Sequence, residues 1–348
     1  MKAVFHPDQR IHYPRHFLSS GAPQPNPEQP ERTDALLEGA RNAGLEVIEP
    51  SDHGLAPVAA VHSPEYIHFL EHIHERWRRI PGASEEVVPN IHPDSRRVGY
   101  PKSAVGQAGY HLMDTACPIS EHTFGSIRWS ANTAVHAAKL VLAGETAAYA
   151  LCRPPGHHAF RDLAGGFCYF NNTAIAAELF SARGMRPAIV DVDLHHGNGT
   201  QGIFYRRGDV LTVSVHADPV RYYPFFWGHA GERGEDDGTG CNLNLPLPRG
   251  TGDDGFLEAL EVGLARVAAF DPDVLVVALG LDAFAGDPFG GLAVTTDGFG
   301  RIGAALGSLD LPTLLVQEGG YLCPELGTNL ASFIDGFAGA HHAPTPRR

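Results

Sequence analysis

The run Asp191-Val192-Asp193-Leu194-His195-His196 sets two carboxylates and an imidazole at every second residue. If a β-strand carries them, its period of two puts Asp191, Asp193 and His195 on one face. Such a donor set at a strand end suits a divalent ion, zinc or iron(II); in a loop the same pattern serves as a hydrogen-bond cluster. Asp282 follows the apolar run VLVVALGL, where an uncompensated carboxylate would be costly to bury. Asp193, His195 and Asp282 would supply three ligands and leave an open position, the pattern of a catalytic metal; the alternative for Asp282 is a helix N-cap. His157-His158 follow the stiff turn Pro154-Pro155-Gly156, which would aim both imidazoles at one cleft. Paired histidines act as general bases, oxyanion donors or metal ligands. In Glu318-Gly319-Gly320-Tyr321, two glycines free the backbone before a phenol, which either donates to a developing oxyanion or packs on the surface of a tight turn.

The elements that must position these residues follow from the hydrophobic pattern. Short apolar runs predict strands at Ala147–Leu151, Ala188–Val192, Val210–His216, Val274–Gly280 and Thr313–Gln317, with Met1–Phe5 and Glu46–Ile48 as edge strands. Helical patterns fall at Glu31–Ala43, Pro64–Trp77, Thr173–Arg183, Asp254–Ala269, Asp297–Leu306 and Thr328–Phe337. This alternation predicts βαβ units and an α/β fold with a largely parallel sheet of about seven or eight strands, economically one domain over residues 1–348. Open α/β sheets bind ligands outside the carboxyl ends of their strands. The segments that follow those ends are CRPPGHHAF, DVDLHHGNG, SVHADP, LGLDAFAGD and QEGGYL, and they hold most of the metal-binding and proton-moving residues. Residues 81–127 show little periodicity and read as a long loop, either functional or disordered, and Pro23–Pro30 reads as a Pro-rich stretch.

Composition narrows the function. The chain has 348 residues, 26 Lys+Arg against 40 Asp+Glu, and a net charge of −14. That balance argues against nucleic-acid binding, which needs a basic footprint, and favours a cationic small molecule. Five cysteines without a CxxC pair predict neither a disulfide framework nor a Cys-rich zinc module, and point to a reducing compartment. MKAVFHPDQRIHYP has no apolar core of a secretory signal, and no run approaches the ~18 apolar residues of a membrane span. A cytoplasmic protein without membrane partners is expected.

Taken together, CRPPGHHA, GGFCYFNN, DVDLHHGNGTQ, SVHADP, LGLDAFAGDPFGG and QEGGY resemble, in order, the zinc-dependent deacetylase family of histone deacetylases and bacterial acetylpolyamine amidohydrolases. The resemblance covers roughly residues 130–335 and reaches the N-terminal part through PERTDALL and VHSPEYIHFL. It implies an arginase-like α/β domain and hydrolysis of an N-acetyl amide. Asp193, His195 and Asp282 would then hold zinc, with iron(II) or cobalt(II) able to replace it. His158 would be general base and then acid, His157 its electrostatic partner, and Tyr321 the donor to the substrate carbonyl. Asp191 would accept from His157, and Asn198 stands where class I histone deacetylases carry an Asp, a form similar to the class II and polyamine branches. Phe167 and Tyr223 match the aromatic walls of the acyl channel. A structural potassium ion would use Asp191, Asp193, His195, Ser214 and Val215.

HGNGTQ and YYPFFWGHAGE look more like the polyamine branch. Segment 81–127 resembles the inserted loop by which that branch forms homodimers and narrows its mouth, admitting acetylputrescine or acetylcadaverine and excluding a folded protein loop. Glu121 and Asp94 are candidates for the far amine, with ordinary surface charge as the favoured alternative, and His92, His122 and His229 lie in loops, with surface positions as the default and the mouth as the alternative. The alternatives are a lysine deacetylase acting on peptides, a binuclear manganese ureohydrolase, which would want a second DxD where only Asp282 stands, and a non-catalytic reader of acetylated amines.

Overall fold

Eight strands share one sheet: β1 (Lys2–Val4), β4 (Glu46–Ile48), β5 (Ala147–Ala150), β6 (Pro187–Asp191), β7 (Leu211–Ala217), β8 (Asn242–Leu247), β9 (Val274–Leu279) and β10 (Thr313–Gln317). In this computed structural model, which describes residues 1–95 and 99–342, their order is β4-β1-β5-β10-β9-β6-β7-β8 and every neighbouring pair is parallel. Parallel strands need crossovers, and the crossover helices cover both faces, so the central strands are apolar throughout rather than alternating. Tyr149, Val190, Leu275, Val277 and Leu315 enter a core roofed by helices Arg32–Asn42, Asp253–Phe270, Thr296–Gly307 and Leu326–Ala340. Ala148, Ala150, Ile189, Val276, Leu314 and Val316 enter the opposite core, under Pro64–Trp77, Thr123–Leu142 and Asn172–Ser181. Helix Pro64–Trp77 starts where its residue types direct, with Pro64 in the first turn and the Ser63 hydroxyl accepting from the Tyr66 amide.

The five central strands predicted from apolar runs form within one residue of their expected ends. Several elements depart from the sequence reading, among them helices Ala56–Val61 and Asn198–Phe204, which it did not mark. The segment Pro23–Pro30 contributes to a hairpin, β2 (His16–Ser19) with β3 (Ala22–Pro25), turning at Ser20 and Gly21, both with positive φ. Two prolines in β3 conceal it from a strand pattern, and a two-stranded ribbon tolerates them because each of its strands is an edge. β8 was concealed the same way: it carries Pro246 and occupies the sheet edge beyond β7. Segment 81–127 is not uniformly irregular, since it contains helix Ala104–His111, a bridge between Val87 and Ile119, and the start of helix Thr123–Leu142. That 20-residue helix buries Ser126, Ser130, Asn132 and Thr133, small polar residues that blur its apolar stripe. Residues 96–98 of the segment, and 343–348 of the chain, lie outside the described residues.

Candidate active site

β5, β10, β9 and β6 are consecutive neighbours, so the segments leaving their carboxyl ends meet although up to 164 residues separate His157 from Tyr321. The strand β6 stops at Asp191 and does not run on through His195 as the period-of-two argument required. Side chains keep the residues together instead: Asp191 Oδ1 accepts from the Asp193 amide at 3.0 Å, and Asp193 Oδ1 from the His195 amide at 2.8 Å. Each Asp thus forms an Asx-type turn with the residue two ahead, which bends the chain into the site.

Asp193, His195 and Asp282 are buried, and one ligand atom from each lies within 4.8 Å of the others. His195 Nδ1 stands 3.1 Å from Asp282 Oδ2 and 3.3 Å from Asp193 Oδ1. The outer lone pairs of both carboxylates are held by amides: Gly319 N–H donates to Asp193 Oδ2 at 2.8 Å, and Leu194 N–H to Asp282 Oδ1 at 2.9 Å. The approach needs glycine, because a Cβ at Gly319 would lie 2.3 Å from Asp282 Oδ2 and 2.6 Å from Asp193 Oδ2. Burial, with Asp193 beside it, pushes Asp282 above the usual carboxylate range. Burial opposes charge on His195, yet its bonds to Asp193 and Asp282 push it up to about 9. Two buried carboxylates facing one imidazole call for a positive charge between them, and the donor set fits a zinc-sized dication.

The tandem histidines sit in unlike surroundings. His157 Nδ1 is 2.9 Å from Asp191 Oδ2, and Asp191 with Asp193 outweighs burial to push His157 up to about 10. His158 Nδ1 meets the neutral Asn198 Oδ1 at 2.8 Å, and burial next to His157 and His195 holds it well below the usual histidine range. The pair therefore divides into a cation and a neutral base. Asn198 is a hydrogen-bond acceptor here, so His158 Nδ1 carries the proton and Nε2 is free to accept one.

Above them opens a cavity of about 400 Å³, with His158, His195 and Tyr321 on its wall together with Phe167, Tyr223 and Phe289. Tyr321 is 4% exposed and packs edge-on against Phe289 at 4.6 Å and Phe167 at 5.9 Å. Its amide donates to Asp287 Oδ2 at 2.9 Å. Gly166 and Phe167 both adopt positive φ; a Cβ at Gly166 would lie 2.4 Å from the His158 ring, so the wall packs directly on that imidazole. Asp191 and Ser214 pair across β6 and β7, with Val215 next in line and buried.

Several contributors to the site lie outside the residues that the sequence marks. The hairpin residues Phe17–Ser20 line the mouth, as do Tyr222 and Phe289. Among the described residues lining the cavity, Asp114 is the one carboxylate and Arg221 the one guanidinium. Asp114 Oδ2 accepts from the Tyr223 hydroxyl at 2.7 Å and the Gly166 amide at 3.0 Å. Glu121 and His122 instead line a separate surface cleft, Asp94 and His92 are exposed, His92 close enough to act on Asp114 through its charge, and His229 bonds to the Phe225 carbonyl; none of the five lines the cavity. Nothing in the spacing around Asp114 marked it, whereas Glu318, a carboxylate after the apolar run TLLV, was legible by the argument applied to Asp282.

Comparison with known proteins agrees with this geometry. The histone deacetylase domain family matches residues 26–337. Over 338 residues the chain is 48% identical to the acetylpolyamine amidohydrolase of Burkholderia pseudomallei, covering 97% of this chain and 98% of that one. It is 38% identical over 341 residues to the acetylpolyamine amidohydrolase of Mycoplana ramosa, covering 97% and 100%. A crystal structure of the acetylpolyamine aminohydrolase from Burkholderia pseudomallei superposes with a TM-score of 0.95 at 47% identity, over 98% of this chain and 100% of that one.

Proposed function

The chain belongs to the histone deacetylase domain family, and from that premise we propose that it is a zinc-dependent amidohydrolase that removes acetyl groups from N-acetylated diamines and polyamines, releasing acetate and the free amine. The observation that carries the reading is the meeting of a dication-sized acid and imidazole trio with a neutral base and a phenol at the floor of one aromatic-walled cavity. Full-length similarity to proteins named acetylpolyamine amidohydrolase supports the acetylputrescine and acetylcadaverine class of substrate.

Asp193, His195 and Asp282 would hold the zinc ion, which as a Lewis acid polarises the amide carbonyl and acidifies water; iron(II) or cobalt(II) suits the same donors. Phe167 and Tyr223 grip the slender alkyl chain and exclude water. His158 Nε2 takes a proton from the attacking water and returns one to the leaving nitrogen, since an amine anion cannot leave. His157, held cationic by Asp191, adds positive charge beside the developing oxyanion, and the Tyr321 hydroxyl donates to it. Asp114 at the wall offers a carboxylate to the far ammonium of the substrate. The adjacency of Asp191 and Ser214 across β6 and β7 supports a structural potassium ion held with Asp193, His195 and Val215. The free cysteines among the described residues, three of them buried, support a reducing, cytoplasmic setting, and no helix among them is long and apolar enough to cross a membrane. A homodimer through segment 81–127, narrowing the mouth as Asp114, Thr115 and Ala116 do from within the chain, completes the proposal.

The test compares kcat/KM for acetylputrescine and for an acetyl-lysine peptide on one zinc-loaded preparation. A preference for the diamine of about 100-fold, roughly 2.7 kcal/mol in transition-state binding, is expected. A preference for the peptide would overturn the substrate reading and make the chain a lysine deacetylase.

A further inference from the structure

Below the zinc ligands a second trio, His157, Cys168 and Glu318, also brings its ligand atoms within 4.8 Å of one another. Its chemistry differs from the first. Glu318 is fully buried, and its oxygens are already occupied: Oε2 accepts from the Gly156 amide at 2.6 Å and the His157 amide at 3.0 Å, while Oε1 accepts from the Thr173 hydroxyl at 2.6 Å. His157 Nδ1 is engaged by Asp191, and burial keeps the Cys168 thiol protonated. Apart from His157 Nε2, the polar atoms of this trio are thus already engaged by protein partners or protonated. The trio has the features of a brace.

We propose that Glu318 is the positioning residue of the tandem histidines, acting through the hydrogen-bond geometry of its two side-chain oxygens rather than through its charge. This rests on the reading of His157 and His158 as the electrostatic and proton-transfer groups. Glu318 leaves the end of β10 and clamps the turn after β5 and the first residue of helix Asn172–Ser181 beyond its start, so three segments distant in sequence share one side chain. Its own backbone is anchored in turn, because Arg32 Nη2 donates to the Glu318 carbonyl at 2.8 Å, with the Arg32 guanidinium 4.8 Å from the Tyr321 ring centre. The next amide, Gly319 N–H, holds Asp193. One residue thereby sets the separation between the histidines and the metal ligands. A misplacement on the order of 1 Å at a reacting group costs about 10² in rate.

The experiment uses the full chain, zinc-loaded, as parent, Glu318→Gln and Glu318→Ala. The carboxamide can accept both amides through its oxygen and donate to Thr173 Oγ1 through its nitrogen, whereas alanine leaves two buried amides without an acceptor. For Glu318→Ala, kcat for acetylputrescine should fall about 100-fold with KM within about threefold and one zinc per chain retained by metal analysis. Glu318→Gln should keep kcat within about tenfold of the parent. A kcat for the alanine variant within threefold of the parent overturns the proposal, as does a glutamine variant that falls as far as alanine, since charge would then be the agent. Should Glu318→Ala fail to fold, Thr173→Val removes one of the three donors; an unchanged kcat there overturns the proposal and a several-fold loss at constant KM supports it. If the parent itself turns over no acetylated amine, the functional reading fails on its own. The imidazole NMR signal of the His157 Nδ1 proton then decides: a shift in the alanine variant but not in glutamine supports the brace, and no shift in either overturns it.

Discussion

At the floor of the cavity Asp191, Asp193, Asp282 and Glu318 are between 0% and 3% exposed, and each accepts at least one hydrogen bond from a backbone amide or neighbouring side chain of known identity. At its rim Leu18 and Phe225 are 38% and 50% exposed, and the adjoining Val220 and Phe226 reach 68% and 84%. The floor comes from residues that leave four adjacent strands, so their backbone is held by the sheet; the rim comes from a two-stranded hairpin and the 218–226 turn. Buried charges tolerate no loss of a partner, because the remaining group keeps its desolvation cost. Exposed apolar groups lose little when changed. Under the proposed function, reaction chemistry and substrate choice fall in regions with opposite tolerance to substitution, as loops on a rigid scaffold allow.

That contrast can be broken at its strongest point by removing metal. A chelator should abolish acetylputrescine turnover, and added zinc should restore it, read as activity against zinc content; full turnover in the metal-free protein would show that the trio holds no catalytic ion. Next in size is Tyr321→Phe, expected to lower kcat by about 10²–10³ with KM little changed. Retained turnover would remove the phenol from the floor's chemistry. Gly319→Ala should follow, because its Cβ must push on both Asp282 and Asp193: zinc affinity should drop about 10–100-fold by chelator competition, the range seen when the groups that orient ligands are altered. At the rim the effect should be smaller and substrate-dependent. Asp114→Asn keeps an acceptor for Tyr223 but loses its charge, so KM for acetylputrescine should rise about tenfold while a neutral acetyl amide of equal length is unaffected. Equal loss for both substrates would mean that Asp114 serves the wall alone.

The smallest effect concerns a buttress of the floor. His62 Nε2 accepts from the Asn171 amide at 2.9 Å, and the Asn171 side chain donates to the Ala159 carbonyl at 3.0 Å, next to His158. Burial pushes His62 down to about 4. A histidine whose folded value lies below its unfolded ~6.5 binds its proton more readily when unfolded, so stability is full above ~6.5 and falls as pH drops toward about 4. The slope from this residue is at most about 1.4 kcal/mol per pH unit. Urea midpoints between pH 7 and 4.5 should decline less steeply in His62→Asn than in the parent; identical slopes would mean that His62 is protonated in both states alike.

Much of the floor was legible because its causes are local. Asp191, Asp193, His195 and Asp282 stand directly after apolar runs that can only be buried strands, and a carboxylate there must be compensated. His157-His158 and Tyr321 were marked by the Pro and Gly residues that bend the chain before them. The rim was not legible for equally physical reasons. Prolines hid β3 and β8, whose edge positions excuse them, and Asp114 sits in a segment without periodicity. Glu121 and Asp94 had the right charge for the far amine, but charge says nothing of location.

By itself, then, the sequence determined the strand-ending acids, histidines and tyrosine, the parallel character of the sheet, and the type of chemistry its donors can support, since all of these depend on residues within a few positions of one another. The tertiary structure alone decided that β10 and β9 lie between β5 and β6, and this order is what brings His157, Asp193, Asp282 and Tyr321 to one floor. It also decided that Asn198 faces His158 while Asp191 faces His157, splitting two adjacent histidines into a neutral base and a cation. Such partnerships join residues 34 and 40 positions apart, and only the packing of the crossover helices on both faces of the sheet fixes which side chains meet.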